Sequence, residues 1–353
     1  VHTYIIAEIG INFNGSLENC FKMIDASATA GCNAAKFQIF SAKNLYPKTA
    51  GNVDWKKNNE SYSYNIYDAV EKFELPIEWI NKLMDYCKDK DIDFMASVFD
   101  IEGLDLMINK GMKVIKLSSY TVTNIPLIEA AAKTGLPIIM STGGATLGET
   151  EDAVNTVLKY HNNLTLLHCS IQYPTKLENA NMGVMDTYSK VFPNIKIGYS
   201  DHTQEPFDAP VESIFLGGSV VEKHITLNKE MEGPDHFFAL NPPELKIMVE
   251  AIRDAEIQFS NKNFNINKII YGSTERKCYK HEVYLRDFAY MTLFSNRDIK
   301  KDENIIADDI SILRRGKKEK GLEPKYLKLF RENKITASKD IKFEEPITWE
   351  SIL

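Results

Sequence analysis

The chain reads as a (β/α)8 barrel followed by a small β-rich domain, and three observations carry that reading. Eight short apolar runs, each ending in small or polar residues, recur between residue 3 and about residue 260. Segments with helical spacing of apolar residues separate them, which implies a parallel sheet of βα units. Eight such units in about 250 residues match a closed barrel. Beyond residue 260 a polar, Asn- and Lys-rich stretch leads into short strand-like pieces with no long helix pattern. An open doubly wound sheet is the rival, but no GxGxxG follows the first run.

The runs are TYIIAEIG (3–10), NAAKFQIF (33–40), IDFMASVFD (92–100), VIKLSS (114–119), LPIIMSTGG (136–144), LTLLHCS (164–170), IKIGYSDH (195–202) and SVVEKHIT (219–226). Among the intervening segments, ENCFKMIDASATAG (18–31) closes on a glycine, and PIEWINKLMDYCKDK (76–90) opens on proline and ends basic. Both are ordinary helix punctuation. NIPLIEAAAKTG (124–135) and LGETEDAVNTVLKY (147–160) follow the same pattern. A long polar and aromatic loop, 41–75, follows the second run. In a barrel it lies on the face that carries the strand carboxyl ends, as a lid, a substrate contact or an inert excursion.

Residues 1–260 are therefore assigned to the barrel, 261–284 to a linker and 285–353 to the C-terminal domain. Within that domain DIKKDENIIADDISIL (298–313) is echoed by DIKFEEPITWESIL (340–353), which predicts a pseudo-symmetric pair of β units.

Composition bounds the function. The 353 residues are 44% hydrophobic and 26% charged, ordinary for a large globular domain plus a small one. A formal net charge of −7 argues against a general nucleic-acid binder, so an anionic ligand must be held by local positive charge. No apolar run nears the ~18 residues that span a bilayer, and VHTYIIAEIG lacks the marks of a signal peptide. Five scattered cysteines without a CxxC pair read as free thiols in a reducing cytoplasm.

Residues at strand carboxyl ends share one mouth in a barrel. Here they include Glu8, Lys36, Gln38, Ser97, Lys116, Ser119, Ser141, Ser200 and Glu222. A lysine inside an apolar run is costly to bury unless it meets an anion. Lys36 and Lys116, with Ser97, Ser119, Ser141 and Ser200, form an oxyanion cradle, most simply for a phosphate. His202 and His224 close consecutive strands, which lie about 4.8 Å apart, so both imidazoles can reach one divalent metal. Nitrogen and oxygen donors together suit Mn²⁺, Fe²⁺, Co²⁺ or Zn²⁺. Asp201 is read as orienting a ligand or binding substrate, and His168, between apolar flanks, as structural. Asp235 reaches a polyol or caps a turn. Strand alternation turns Lys223 away from Glu222 and His224, toward packing or surface charge.

Taken together, AEIGINFNG (7–15), KFQ (36–38), STGGAT (141–146), YPT (173–175), GYSDHT (198–203), EKHIT (222–226) and GPDH (233–236) resemble the N-acetylneuraminate (sialic acid) synthase family. The stretch DIKKDENI…ILRRGKKEKGLEP resembles that family's antifreeze-like SAF domain, a β-clip, so the resemblance covers nearly the whole chain. It implies an enzyme that condenses phosphoenolpyruvate with a 2-acetamido or 2,4-diacetamido hexose. The product would be a nonulosonic acid of sialic, legionaminic or pseudaminic type, with phosphate released. It also implies Mn²⁺ as cofactor, with Mg²⁺, Co²⁺ or Fe²⁺ as alternatives, and a homodimer in which each SAF domain caps the partner's barrel.

Carried onto this chain, the resemblance gives the metal to His202 and His224. Phosphoenolpyruvate goes to Lys36, Lys116, Ser119, Ser141 and Ser200, with Ser97 where the family has threonine. Glu8 lies beside the reacting carbons and Glu222 near the metal-bound water, and either handles the proton of the attacking water. Gln38, Tyr173 and Asp235 contact the sugar. Arg314 reaches the acceptor, or Arg315 does, because the family's Arg-Pro-Gly reads Arg-Arg-Gly here. Thr121 stands where the family places an acid that binds the acceptor, and Ile171 where a polar residue is common. Both substitutions predict a shifted acceptor. Another phosphoenolpyruvate-condensing synthase, of the 3-deoxy-octulosonate type, offers no reason for the SAF domain. A non-catalytic sugar- or anion-binding barrel is the reading from a different class.

Overall fold

The structure is a computed structural model that describes residues 2–57, 60–332 and 334–352. Eight parallel strands close into a barrel in sequence order, the last pairing with the first. They are β1 (Tyr4–Gly10), β2 (Ala34–Ile39), β3 (Asp93–Val98), β4 (Ile115–Leu117), β5 (Ile138–Ser141), β6 (Leu164–Cys169), β7 (Lys196–Asp201) and β8 (Val220–His224). All eight expected runs are strands. Eight helices return the chain between and after them: α1 (Leu17–Ala30), α2 (Ile80–Asp89), α3 (Ile101–Asn109), α4 (Ile125–Lys133), α5 (Leu147–Leu158), α6 (Val184–Val191), α7 (Asp208–Phe215) and α8 (Pro242–Ser260). Their starts follow from local chemistry. Thr146 with Glu149, and Asn241 with Glu244, form capping boxes at α5 and α8. Gly31 ends α1 at φ 88°, a conformation that glycine adopts without steric cost.

The strand period of two decides which residues enter the barrel. A buried layer of Ile6, Ala34, Met95, Ile139, Leu167 and Val220 packs on the inside. Two positions further along the same strands stand Glu8, Lys36, Ser97, Ser141, Cys169 and Glu222. The apolar layer thus floors the polar one. The outward-facing residues of each strand meet the helices in a much larger apolar layer.

The loop over 41–75 is folded. It contains a short helix, Ala42–Leu45, a hairpin of Asn52–Lys57 with Glu60–Asn65, and a second helix, Ile66–Glu71. Asn58 and Asn59 of that loop lie outside the described residues.

The C-terminal unit pairs β9 (Met291–Ser295) with β11 (Ile310–Arg314), and β10 (Asn304–Ile305) with β12 (Ile335–Thr336), both antiparallel. The sequence echo is a two-fold relation in space. Ile299 and Ile341, matched in the two copies, donate their N–H groups to each other's carbonyls at 2.8 Å. Asp298 accepts from the Phe343 N–H at 2.9 Å, as Asp340 accepts from the Lys301 N–H at 2.9 Å. In this register Ile310 corresponds to Ile352, so the terminal Ile-Leu pairs that match in sequence are not equivalent in space, and Leu353 lies outside the described residues.

One expectation changes here. The stretch expected to be a linker, 261–284, contains a short helix, Lys268–Tyr271, and runs into α9 (Val283–Ala289), which crosses the expected boundary at 285. In this single chain the C-terminal unit lies against the barrel. Glu344 accepts hydrogen bonds from the N–H groups of Lys48 and Thr49 at 2.8 and 3.0 Å, and Met291 packs with Leu45, Tyr46, Ala50, Ile66 and Phe99. No helix among the described residues is long and apolar enough to cross a membrane.

Candidate active site

A cavity of about 480 Å³ opens at the carboxyl ends of the barrel strands. Of the expected site residues, Thr121, Asp201 and the alternative arginine Arg315 do not line it, and the others do. Strand register brings them together. Glu8 sits opposite both Lys36 and His224, Ser97 opposite both Gln38 and Lys116, and Glu222 opposite Ser200.

Four buried charges form the floor. Lys36 Nζ lies 2.6 Å from Glu8 Oε2, donates to Ser97 Oγ at 2.8 Å and is 3.6 Å from Glu222 Oε2. Lys116 Nζ donates to Ser141 Oγ at 2.8 Å and is also 3.6 Å from Glu222 Oε2. Ser200 donates to Glu222 Oε1 at 3.1 Å, and Gln38 donates to Glu8 Oε1 at 2.7 Å. The two carboxyls titrate in opposite directions. Burial raises the pKa of Glu8, the negative charge of Glu222 adds to the rise, and Lys36 only partly offsets it. Burial also pushes Glu222 up, but Lys116 and Lys36 outweigh it, so its pKa falls below the ordinary value. Lys36 is held charged by Glu222 and Glu8 against its burial, whereas burial lowers Lys116.

The loop after β5 is shaped by small residues. The Gly143 N–H donates to Ser119 Oγ at 2.8 Å. A Cβ on Gly143 or Gly144 would come within 2.7 or 2.6 Å of Ile171, so neither position accommodates a side chain without a shift.

Two imidazoles stand at the rim with ring centroids 5.3 Å apart. His202 Nδ1 lies 2.8 Å from the Ser170 carbonyl, which can only accept, so Nδ1 carries the proton and Nε2 keeps its lone pair. His224 Nδ1 is buried without a hydrogen-bond partner, 3.8 Å from Asp235 Oδ2. Burial depresses both pKa values, that of His202 to about 4, so both rings are neutral at physiological pH. Neutral imidazoles with one orphaned buried nitrogen are the donor set a divalent cation needs. No group of three or more His, Cys, Asp or Glu side chains able to hold a metal occurs among the described residues. The remaining donors would therefore be oxygens of water or ligand. Burial, and then the charge of Glu8, lift Asp235 to about 7.

The outer end of the cavity is aromatic and apolar, lined by Ile11, Phe40, Phe73, Phe99, Tyr120 and Phe237 among others. Tyr120 donates to the Tyr173 hydroxyl at 3.3 Å, and the Tyr173 ring lies 4.3 Å from that of His202. Arg314 closes this end. Its Cζ lies 4.8 Å from the Tyr120 ring centroid, 5.2 Å from that of Phe99 and 5.7 Å from that of Tyr46.

Several assignments are corrected. Thr121 is fully buried and donates to the Ser118 carbonyl at 2.9 Å, inside the helical turn Ser119–Thr121, so it does not meet an acceptor. Ile171 packs on Gly143 and Gly144 and does not line the cavity. Asp201 is no ligand or orienting group. Its Oδ2 lies 2.5 Å from Lys223 Nζ, outside the barrel interior. Lys223 does point away from its neighbours, but into packing and not onto the surface, because it also donates to the Thr203 and Glu205 carbonyls. Arg315 binds the Asp287 carbonyl and carboxylate, which leaves Arg314 as the arginine in the cavity. His168 is structural, its Nε2 2.7 Å from the Ala180 carbonyl. Phe99 and Tyr120 were missed, and Cys169, a strand-tip residue, was given no role. Alternation along β6 puts Cys169 inside and His168 outside, a signal that the sequence carried.

Comparison with known proteins places these residues in context. The NeuB family model matches residues 23–263. The spore coat polysaccharide biosynthesis protein SpsE of Bacillus subtilis is 36% identical, over 99% of this chain and 93% of its own. The N,N'-diacetyllegionaminic acid synthase of Legionella pneumophila is 34% identical, over 89% of this chain and 85% of its own. The crystal structure of the Bacillus subtilis protein superposes with a TM-score of 0.89, covering 100% of this chain and 96% of that one, at 35% identity. A crystal structure of N-acetylneuraminic acid synthetase from Leptospira borgpetersenii, at 29% identity, superposes with a TM-score of 0.66 over 76% of this chain and 88% of that one.

Proposed function

The chain belongs to the NeuB family, and from that membership we propose that it condenses phosphoenolpyruvate with a 2-acetamido or 2,4-diacetamido hexose to form a nonulosonic acid and phosphate. The observation that carries this reading is one cavity that joins the Lys36–Lys116 cradle to the His202–His224 pair. A non-catalytic binding barrel has no use for two buried carboxyls with opposed pKa shifts; a reaction that moves two protons does.

Lys36 and Lys116, with Ser97, Ser119, Ser141 and Ser200, hold the charged groups of phosphoenolpyruvate. Two lysines facing two carboxylates leave no net charge for an anion, and a proton on Glu8 restores one positive charge to the floor. Its raised pKa favours that proton. Glu8 then gives it to the aldehyde oxygen as the enol carbon attacks. Glu222, held ionised by the lysines, accepts the proton of the water that adds at C2. The lysines and serines stay in place as the tetrahedral intermediate releases phosphate. Gln38, Tyr173 and Asp235 line the side where the sugar would lie. A divalent cation, Mn²⁺ by the family resemblance, would be held by His202 and His224, and when bound it polarises the aldehyde as a Lewis acid. The chain is expected to act in the cytoplasm and to pair as a homodimer.

The acceptor end favours an N-acylated, hydroxyl-poor hexose, because its walls are aromatic. The test uses purified protein, phosphoenolpyruvate and a panel of 2-acetamido and 2,4-diacetamido hexoses, with metal stripped and restored. Phosphate release that requires both acceptor and metal, together with a nine-carbon keto acid seen by mass spectrometry, is the expected result. Phosphate release without an acceptor, or no release with any of them, would sink the reading.

A further inference from the structure

The loop that follows β8 brings Asp235 and Phe237 to the cavity, yet no helix or strand holds residues 226–239. Its base is fixed where Ile225 bridges Leu240 and the Leu240 N–H donates to the His224 carbonyl at 2.9 Å. Its middle is fixed by a side chain that does not line the cavity. His236 is 1% exposed, with Nε2 3.0 Å from Asn14 Oδ1 and Nδ1 2.7 Å from Thr226 Oγ1. Asn14 Nδ2 donates to the Glu232 carbonyl at 2.8 Å, which turns its amide oxygen toward the imidazole. That oxygen can only accept, so Nε2 carries the ring proton. Burial lowers the His236 pKa, which leaves Nδ1 to accept from the Thr226 hydroxyl.

Three segments therefore meet at one imidazole: the turn after β1, the end of β8 and the loop over 232–236. Asn14 stands in that turn at φ 48°, a left-handed conformation that asparagine tolerates. Asn12 of the same turn donates to the Ile225 carbonyl at 2.8 Å. Gly233 has φ 150°, and a Cβ there would lie 2.8 Å from His236 Cδ2, so the ring packs on bare backbone. On either side of His236 the loop presents groups to the site. Asp235 Oδ2 lies 3.8 Å from His224 Nδ1. Phe238 is fully buried, its ring centroid 5.1 Å from that of His224 and 6.0 Å from that of His202. A carboxyl on an irregular loop has no strand register to aim it, so its aim must come from neighbouring side chains.

We propose that His236 and Asn14 form a latch that holds Asp235 on the side of the cavity where the sugar would lie, which makes both of them positioning residues for the acceptor although neither touches it. The kinetic readout below rests on the proposed synthase function; the hydrogen-exchange readout does not.

The whole chain is compared with H236A, H236Q, N14G, D235N and the H236A/D235N double variant. In hydrogen-exchange mass spectrometry, H236A and N14G are each expected to raise exchange about tenfold in peptides from 229–239 and to leave peptides from the barrel strands as in wild type. Glycine adopts the Asn14 backbone conformation freely, so N14G removes the side-chain bonds alone and decides the matter if H236A does not accumulate. In steady-state kinetics both variants should raise the acceptor KM about tenfold and leave the KM for phosphoenolpyruvate within about twofold. H236Q, whose amide N–H still reaches toward Asn14, should recover most of that loss. In the D235N background, H236A should change the acceptor KM by less than about twofold, because the latch then has no carboxylate to aim. Unchanged exchange over 229–239 in both variants, an equal rise across the whole barrel, or H236A and D235N effects that simply multiply would overturn the proposal. If wild-type protein shows no turnover, the synthase reading fails and the exchange data alone decide the latch.

Discussion

Glu8 and Lys36 are register neighbours on β1 and β2, and their charged ends meet 2.6 Å apart inside the barrel. Breaking a buried pair from one side leaves an uncompensated charge and costs about 3–5 kcal/mol. K36M is therefore expected to melt well below wild type and to lose at least ~100-fold in kcat/KM for phosphoenolpyruvate. E8Q keeps the Lys36 contact through its amide oxygen but has no acidic proton to transfer. It should lose kcat with little change in the KM for phosphoenolpyruvate. Steady-state kinetics with melting curves separate the two, and a KM effect in E8Q equal to that in K36M would contradict the assigned roles.

Thr121 spends its hydroxyl on the Ser118 carbonyl. T121V should cost about 1 kcal/mol of stability and leave the acceptor KM within about twofold, while F99A should raise that KM by about tenfold or more through lost packing on the acceptor end. A large acceptor effect in T121V would restore the position to the sugar side.

Lys223 and Asp201 form a pair with both side chains fully buried, on the opposite face of β7 and β8 from the site. K223M alone should destabilise by about 3–5 kcal/mol, and K223M combined with D201L by much less, because a matched apolar pair strands no charge. Denaturant unfolding in a double-mutant cycle measures this. The activity of the folded fraction should be unchanged.

Glu212 on α7 titrates near 7 because burial disfavours its charge, and the Asn267 N–H, at 2.9 Å, only partly compensates. Its folded pKa lies above the ordinary value of 4.5, so the native state holds the proton more tightly than the unfolded chain. Stability should thus fall as pH rises from 4.5 to about 7 and then level off. E212Q should flatten that decline and be more stable than wild type at pH 8 by on the order of 2 kcal/mol. Melting temperatures of both proteins at pH 5 and pH 8 test this, and equal slopes would contradict it.

Much of the barrel and its site was legible because strand alternation is a local property. Ile6 and Glu8, or Ala34 and Lys36, share a face whatever surrounds them. The same rule, applied strictly, separates Cys169 from His168 and Glu222 from Lys223. Where the chain leaves its strands the rule stops. Thr121 and Ile171 sit in loops, where a position in the chain does not say which way a side chain turns. The segment over 276–290 carries no periodic signal at all, since its work is done by single hydrogen bonds to loops more than 100 residues away in sequence.

By itself, the sequence determined the βα rhythm, the cradle of lysines and serines, the pair of histidines and the echo in the C-terminal domain, because each follows from spacing along the chain. Only the tertiary structure decided the opposed titration of Glu8 and Glu222, the burial of Lys223 on Asp201, and the choice of Arg314 over Arg315. These depend on distances between side chains far apart in sequence, and such distances exist only once the chain has closed on itself.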